Sequence, residues 1–200
     1  MGRVRLFAGG EGMSIQAAGT EIPYTVTYLE MEARPTYDWP HLPAGSTAAL
    51  LKAETPPVWW FLALYDAVGR DYAWEDIHTW EHDEIAEWLQ ADVMSLYTLL
   101  DHGWPQGFFL LSDGDDGLVN MEYFGMVPEA VGRGLGRWLL KTAVLTAWDR
   151  PGAAKLTVNT CTLDHPRALA LYQKVGFTPV RREDKIRRLT RDRDLTRIPE

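Results

Sequence analysis

Cysteine is nearly absent. The single Cys161 among 200 residues has no partner for an intramolecular disulfide and supplies no thiolate set for zinc, and nothing in the chain calls for an oxidising compartment. Apolar runs are short as well: no stretch approaches the ~18 residues of a membrane-spanning helix. The first twenty residues place Arg3 and Arg5 before Gly, Ala and Ser, not before the apolar segment of a secretory signal. An excess of positive charge is also missing. The formal net charge is -8, and residues 181–200 carry eight Lys/Arg against five Asp/Glu, so residues 1–180 form a strongly acidic body. That balance argues against a nucleic-acid partner and is compatible with cationic small substrates. Repeats, low-complexity tracts and dividing linkers are lacking too. The reading is a cytoplasmic chain with no membrane partner: a disordered extension over residues 1–20, with Met13 offering a second start, then a single domain over 21–200. Homodimerisation stays open.

What is present is ordinary globular composition, 46% hydrophobic and 24% charged, with nine Trp that suggest an aromatic-lined cleft or core filling. Tyr24–Met31 near-alternates β-branched and aromatic residues and predicts a first strand. Between Gly45 and Gln90 the apolar spacing predicts a helical layer, broken by Pro56-Pro57 and Gly69. Val93–Leu100, Phe108–Ser112 and Leu118–Val127 predict an antiparallel meander, because Asp101-His102-Gly103 and Asp113–Gly117 are tight-turn compositions. A helix over Gly134–Trp148, a strand over Lys155–Thr162, a helix over Ala168–Val175 stopped by Gly176, and a last strand from Phe177 complete an α+β domain.

The stretch leaving the meander carries the chemistry: Gly-Met-Val-Pro-Glu129, then Val131-Gly-Arg-Gly-Leu-Gly-Arg137. Glycines 132, 134 and 136 let the backbone turn sharply and aim N–H groups at a ligand before a helix N-terminus, which favours phosphate. A Rossmann turn needs a Gly where Arg137 stands, and a parallel βαβ unit; a Walker loop needs Gly-Lys-Ser/Thr. Neither is here.

Downstream, His165-Pro-Arg-Ala168-Leu-Ala-Leu171-Tyr172-Gln-Lys-Val-Gly176-Phe177 completes a pair of motifs. Together they resemble the GNAT superfamily of acyl-CoA-dependent N-acetyltransferases, whose loop reads Gln/Arg-x-x-Gly-x-Gly/Ala and whose later motif reads Asn-x-x-Ala-x-x-Leu-Tyr-x-x-x-Gly-Phe. Gly134 and Gly136 match; Val131 replaces the leading Gln/Arg and His165 the Asn. The resemblance covers Val93–Val180 well and leaves residues 32–92 unmatched. It implies a single GNAT-like domain, with a twisted, mostly antiparallel sheet whose central strands splay apart between flanking helices. It also implies acetyl-CoA as co-substrate, its pantetheine amides on the backbone of Met126 and Val127. The pyrophosphate would lie on the N–H groups of Gly132, Arg133, Gly134, Leu135, Gly136 and Arg137, with the Arg133 and Arg137 side chains adding charge. His165 contacts pantetheine or caps its helix.

Acetyl transfer to an amine needs the amine neutral and the departing thiolate protonated. By resemblance Tyr172 is the general acid. Glu122 is the base, on a strand where alternation places Glu122, Phe124 and Met126 on one face and Met121, Tyr123 and Gly125 on the other. The acceptor is a primary amine of a small molecule or protein. A catalytically silent acyl-CoA-binding or sensor domain would keep the loop and need neither residue. A third reading, a zinc hydrolase, rests on His78-Thr-Trp-Glu81-His82, whose imidazoles fall at i and i+4 of a helix. That string is short and lacks a further ligand, so no metal is called for. The acidic, aromatic stretch Asp71–Glu87 reads as an acceptor rim or a solvated face, with Asp76 and Glu84 its foremost carboxylates.

Overall fold

The structure, a computed structural model, describes residues 15–199. Of the expected extension, residues 1–14 lie outside the described part. The remainder is held: β1 (Ile15–Gln16) pairs antiparallel with β9 (Arg193–Asp194), and the Gly19 N–H donates to the Leu189 carbonyl at 2.7 Å.

From residue 21 the chain builds β2 (Glu21–Met31), β3 (Ala49–Lys52), α1 (Val58–Gly69), α2 (His82–Leu89), β4 (Met94–Asp101), β5 (Trp104–Asp113), β6 (Leu118–Met126), α3 (Leu135–Trp148), β7 (Lys155–Cys161), α4 (Ala168–Lys174) and β8 (Thr178–Arg188). The main sheet of the described residues runs β3-β4-β5-β6-β7-β2-β8, and every pairing but β6–β7 is antiparallel. β3 corrects the helical reading of 45–90. Its four residues are too few to show a period, and they form a strand because β4 offers an open edge.

Helices start where the chain supplies the means. Pro57 with its extended backbone opens α1. A reciprocal capping box opens α2, in which the Glu84 carboxylate accepts from the Glu81 N–H at 3.0 Å. On β5, Phe108 and Leu110 face α1 and α2 while Phe109 and Leu111 face α3, so alternation along one central strand feeds a core on each side of the sheet. All four are fully buried.

Two irregularities make the site. β6 and β7, joined in parallel, pair only over Leu118–Met121 and Lys155–Val158; beyond these residues they part. The β5–β6 register also shifts between Leu110/Tyr123 and Leu111/Met121, which leaves Glu122 as the extra residue of a β-bulge. The bulge breaks the expected alternation: Met121 and Phe124 both pack toward α3, whereas Tyr123 packs toward α1.

Candidate active site

The parting of β6 and β7 opens a cleft of about 570 Å³. Its β6 wall is a free strand edge. The Val127 N–H donates to the Gln106 carbonyl at 2.9 Å, so by antiparallel alternation Phe124 and Met126 turn their own N–H and C=O away from β5, toward the gap. Val127 does not join them: its carbonyl accepts from the Ala130 N–H at 3.0 Å, and it is buried against the α1 layer. Phe124 takes the place that resemblance assigned to Val127.

At one end of the gap the chain turns into α3. Gly132 (φ +88°) and Gly134 (φ +81°) adopt the left-handed backbone expected of a tight approach, and no side chain caps the helix, so its first N–H groups keep no intrahelical partner. A Cβ built on Gly132 would meet no atom within 4 Å, which leaves open the space that an anion on these donors would fill. Gly132, Gly136 and Arg137 line the cleft, whereas Arg133 and Gly134 are exposed beside it and the Leu135 side chain is buried beneath α3. The loop fits a pyrophosphate.

On the opposite wall Tyr172, 7% exposed, packs edge-on against Phe124 and Phe177 and reaches the cleft. Burial, reinforced by the nearby Asp164 charge, pushes its phenol well above the ordinary tyrosine value. The phenol therefore keeps its proton at pH values where an unperturbed tyrosine ionises. Glu122, half-buried, also lines the cleft and accepts a 2.5 Å hydrogen bond from Ser112 Oγ. His165 lies at the mouth; its Nδ1 accepts from the Arg167 N–H at 3.1 Å, so it caps the turn into α4, and burial together with Arg167 lowers its pKa.

Several cleft residues escaped sequence reasoning. Asp164 accepts from the Trp74 indole at 3.0 Å, from Thr160 Oγ1 at 2.8 Å and from the Cys161 N–H at 2.8 Å. Tyr72 and Trp74, which no motif singles out, come from the Asp71–Glu87 stretch expected to form a rim or a solvated face, and they line the cleft. Position alone was the available signal: Asp164 immediately precedes the His165 motif. Of the two rim carboxylates, Asp76 lines the cleft, paired with Arg187, while Glu84 caps α2. The His78–His82 pair does not form one helical face. His78 sits in a 3-10 turn and bonds Asp66 at 3.0 Å, Trp80 is extended, and His82 begins α2; among the described residues no three His, Cys, Asp or Glu cluster as metal ligands would. Nor is any helix of the described residues long and apolar enough to cross a membrane.

Comparison with known proteins agrees with this geometry. In fold the chain is similar to a functionally unknown conserved protein from Staphylococcus epidermidis ATCC 12228 (12% identity, 87% of this chain and 63% of that one, TM-score 0.60). It is also similar to a GCN5-related N-acetyltransferase from Kribbella flavida (18% identity, 81% and 56%, TM-score 0.53) and another from Sphaerobacter thermophilus (16% identity, 88% and 53%, TM-score 0.57). The chain thus spans less than two thirds of each of these structures, and at such identities the likeness is one of fold. No curated protein matches it in sequence. The acetyltransferase (GNAT) family model matches residues 61–177, from within α1 to the residue before β8, and so takes in both cleft walls and the loop into α3. The chain belongs to the GNAT acetyltransferase family.

Proposed function

We propose that the protein moves an acetyl group from acetyl-CoA directly to a primary amine. The observation that carries the reading is a single cleft joining a free β6 edge, an uncapped glycine-turned helix start, a buried phenol and a half-buried carboxylate. When bound, acetyl-CoA supplies a thioester-activated acyl group. Phe124 and Met126 would hold its pantetheine amides through their free backbone groups. The first N–H donors of α3 would hold the pyrophosphate, with Arg137 adding charge.

The protein's own groups then handle two protons. Glu122 takes one from the incoming ammonium, directly or through water, leaving nitrogen with the lone pair that forms the new C–N bond. Tyr172 gives one to the sulfur as the C–S bond breaks, and its phenolate regains a proton from the acylated nitrogen, directly or through water, so free thiol and neutral amide depart. Ser112, donating to Glu122, keeps that carboxylate turned to its task. A silent acyl-CoA-binding domain would have use for the loop but not for an acid and a base within the same cleft.

The test is thiol release from acetyl-CoA across a panel of amines, alongside calorimetric binding of CoA. Amine-dependent release supports the reading; CoA binding without release from any amine leaves the silent domain; no CoA binding overturns both.

A further inference from the structure

The segment 70–76, between α1 and α2, is fixed from several directions. Arg193 donates from Nε to the Asp71 carbonyl at 3.2 Å and from Nη2 to the Leu163 carbonyl at 3.1 Å, tying the segment to the end of β7. Arg187 donates to the Ala73 carbonyl and, at 2.8 and 2.6 Å, to both oxygens of Asp76. Arg191 donates to the Trp74 carbonyl at 3.1 Å, and buried Glu75 accepts from the Thr190 N–H at 2.8 Å. From the cleft side, the Trp74 indole bonds Asp164. Three arginines of the C-terminal stretch thus capture three carbonyls, those of Asp71, Ala73 and Trp74, of one short segment. It forms a roof whose Tyr72, Trp74 and Asp76 line the cleft.

Under that roof two carboxylates make no ion pair. Arg187 is matched by Asp76, and Lys185 by Glu183 at 3.6 Å. Among the described residues no Lys, Arg or His nitrogen lies within 4.0 Å of the carboxylates of Glu122 or Asp164; their partners are all neutral donors. An ionised carboxylate offers about four lone-pair sites. Asp164 fills three, and Tyr72 lines the cleft with it. The proposed mechanism uses one cleft carboxylate, Glu122. It leaves Asp164 with no part in the reaction.

Resting on the acetyl-transfer reading, we propose that Asp164 binds a second cationic centre of the acceptor, which makes the acceptor a compact diamine-type small molecule. The reacting amine must lose its charge at Glu122, so a group that stays charged at Asp164 is a different one. Size points the same way. A cleft of about 570 Å³ must also take the acyl end of the co-substrate, and the fixed roof closes one side of it to a folded protein surface.

Steady-state rates with linear diaminoalkanes, with monoamines of equal chain length and with a lysine-containing peptide test this without any variant. The expected result is a kcat/KM for the best diamine about tenfold or more above its monoamine and above the peptide, with a diamine KM that rises with salt. Asp164→Asn should then raise the diamine KM by a similar factor, flatten its salt dependence and leave the monoamine KM and the acetyl-CoA KM unchanged. Equal rates for diamines and monoamines, or a preference for the peptide, overturn the proposal while thiol release continues. A loss in D164N that is the same for every amine makes Asp164 a structural residue and also overturns it. Absence of thiol release with any amine and of acetyl-CoA binding is instead the failure of the acetyl-transfer reading on which the proposal rests.

Discussion

Tyr172 combines two properties that seldom coincide in one side chain, a core position and, in the proposed mechanism, a reaction role. Its ring packs against Phe124 and Phe177, so Tyr172→Phe keeps the packing and removes only the proton donor. General acid catalysis typically contributes 10²–10⁴-fold, so kcat should fall at least ~10-fold while CoA affinity measured by calorimetry stays put. An unchanged kcat would remove Tyr172 from the mechanism. The sign of its pKa shift adds a pH prediction. Burial raises the phenol, so the protonated donor form persists through pH 10.0, where an unperturbed tyrosine is half ionised, and the wild-type pH–rate profile should show no descending limb there from loss of the acid. Glu122→Gln should act oppositely along the pH axis. The deficit is largest where the amine is still protonated and shrinks as free amine appears unaided; a deficit constant with pH would make Glu122 a binding residue. Both residues were legible in the sequence through the motif and the strand that carry them. Asp164 was not, since it sits in no periodic or glycine-marked pattern, and its hydrogen bond to Trp74, itself covered only as part of the Asp71–Glu87 stretch, joins residues 90 apart.

An element's fate in the sequence reading followed the source of its stability. β5, β6 and α3 were legible because their apolar periods reflect burial on a sheet face, which repeats along the chain. β3 was not, because a four-residue edge strand is decided by its partner β4. The bulge at Glu122 was hidden for a related reason: a register shift is a relation between two strands, and no single strand records it. The free edge of Phe124 and Met126 likewise depends on what β5 takes and what β7 leaves. The turn into α3 is the contrary case, since its geometry is written in glycines. Gly134→Val would force a β-branched residue into φ +81°, although its Cβ would meet only Pro43 Cγ, at 3.6 Å. The left-handed conformation costs ordinary residues about 1–2 kcal/mol and more with β-branching. The loop should therefore relax away from its anion-binding form: calorimetry should show CoA affinity falling by an order of magnitude or more, with melting temperature changed only by a few degrees. Unaltered affinity would count against the loop as the pyrophosphate site.

At the scale of the molecule, half of the basic C-terminal stretch that stood out in the charge count is tied into the fold: Arg187, Arg191, Arg193 and Arg197 bind the backbone and carboxylates of the acidic segment between α1 and α2, while Arg181, Arg182 and Arg188 stay exposed. The aromatic richness has a similar explanation. Trp74 lies flat against Gly69, where a Cβ would come within 2.2 Å of the indole, and its ring meets those of Tyr65 and Tyr123, so the roof is packed onto α1 and β6 as well as hydrogen-bonded. Arg193 bonds both the roof and the far wall of the cleft, and at 8% exposure it is buried. Replacing it by Met preserves most of the apolar stem but leaves the carbonyls of Asp71 and Leu163 without their donor. An unsatisfied buried group costs about 1–3 kcal/mol, so the two together cost ~2–5 kcal/mol, and for a domain of this size each kcal/mol shifts the melting temperature by roughly 2–4 °C. Arg193→Met should therefore melt on the order of 5–15 °C lower by scanning calorimetry. Because the roof borders the acceptor end while the phosphate loop hangs on α3, the same variant should raise the acceptor KM and leave CoA affinity unchanged. Equal losses of acceptor and CoA binding would mean that Arg193 supports the fold as a whole, and that the roof is no separate unit of the site.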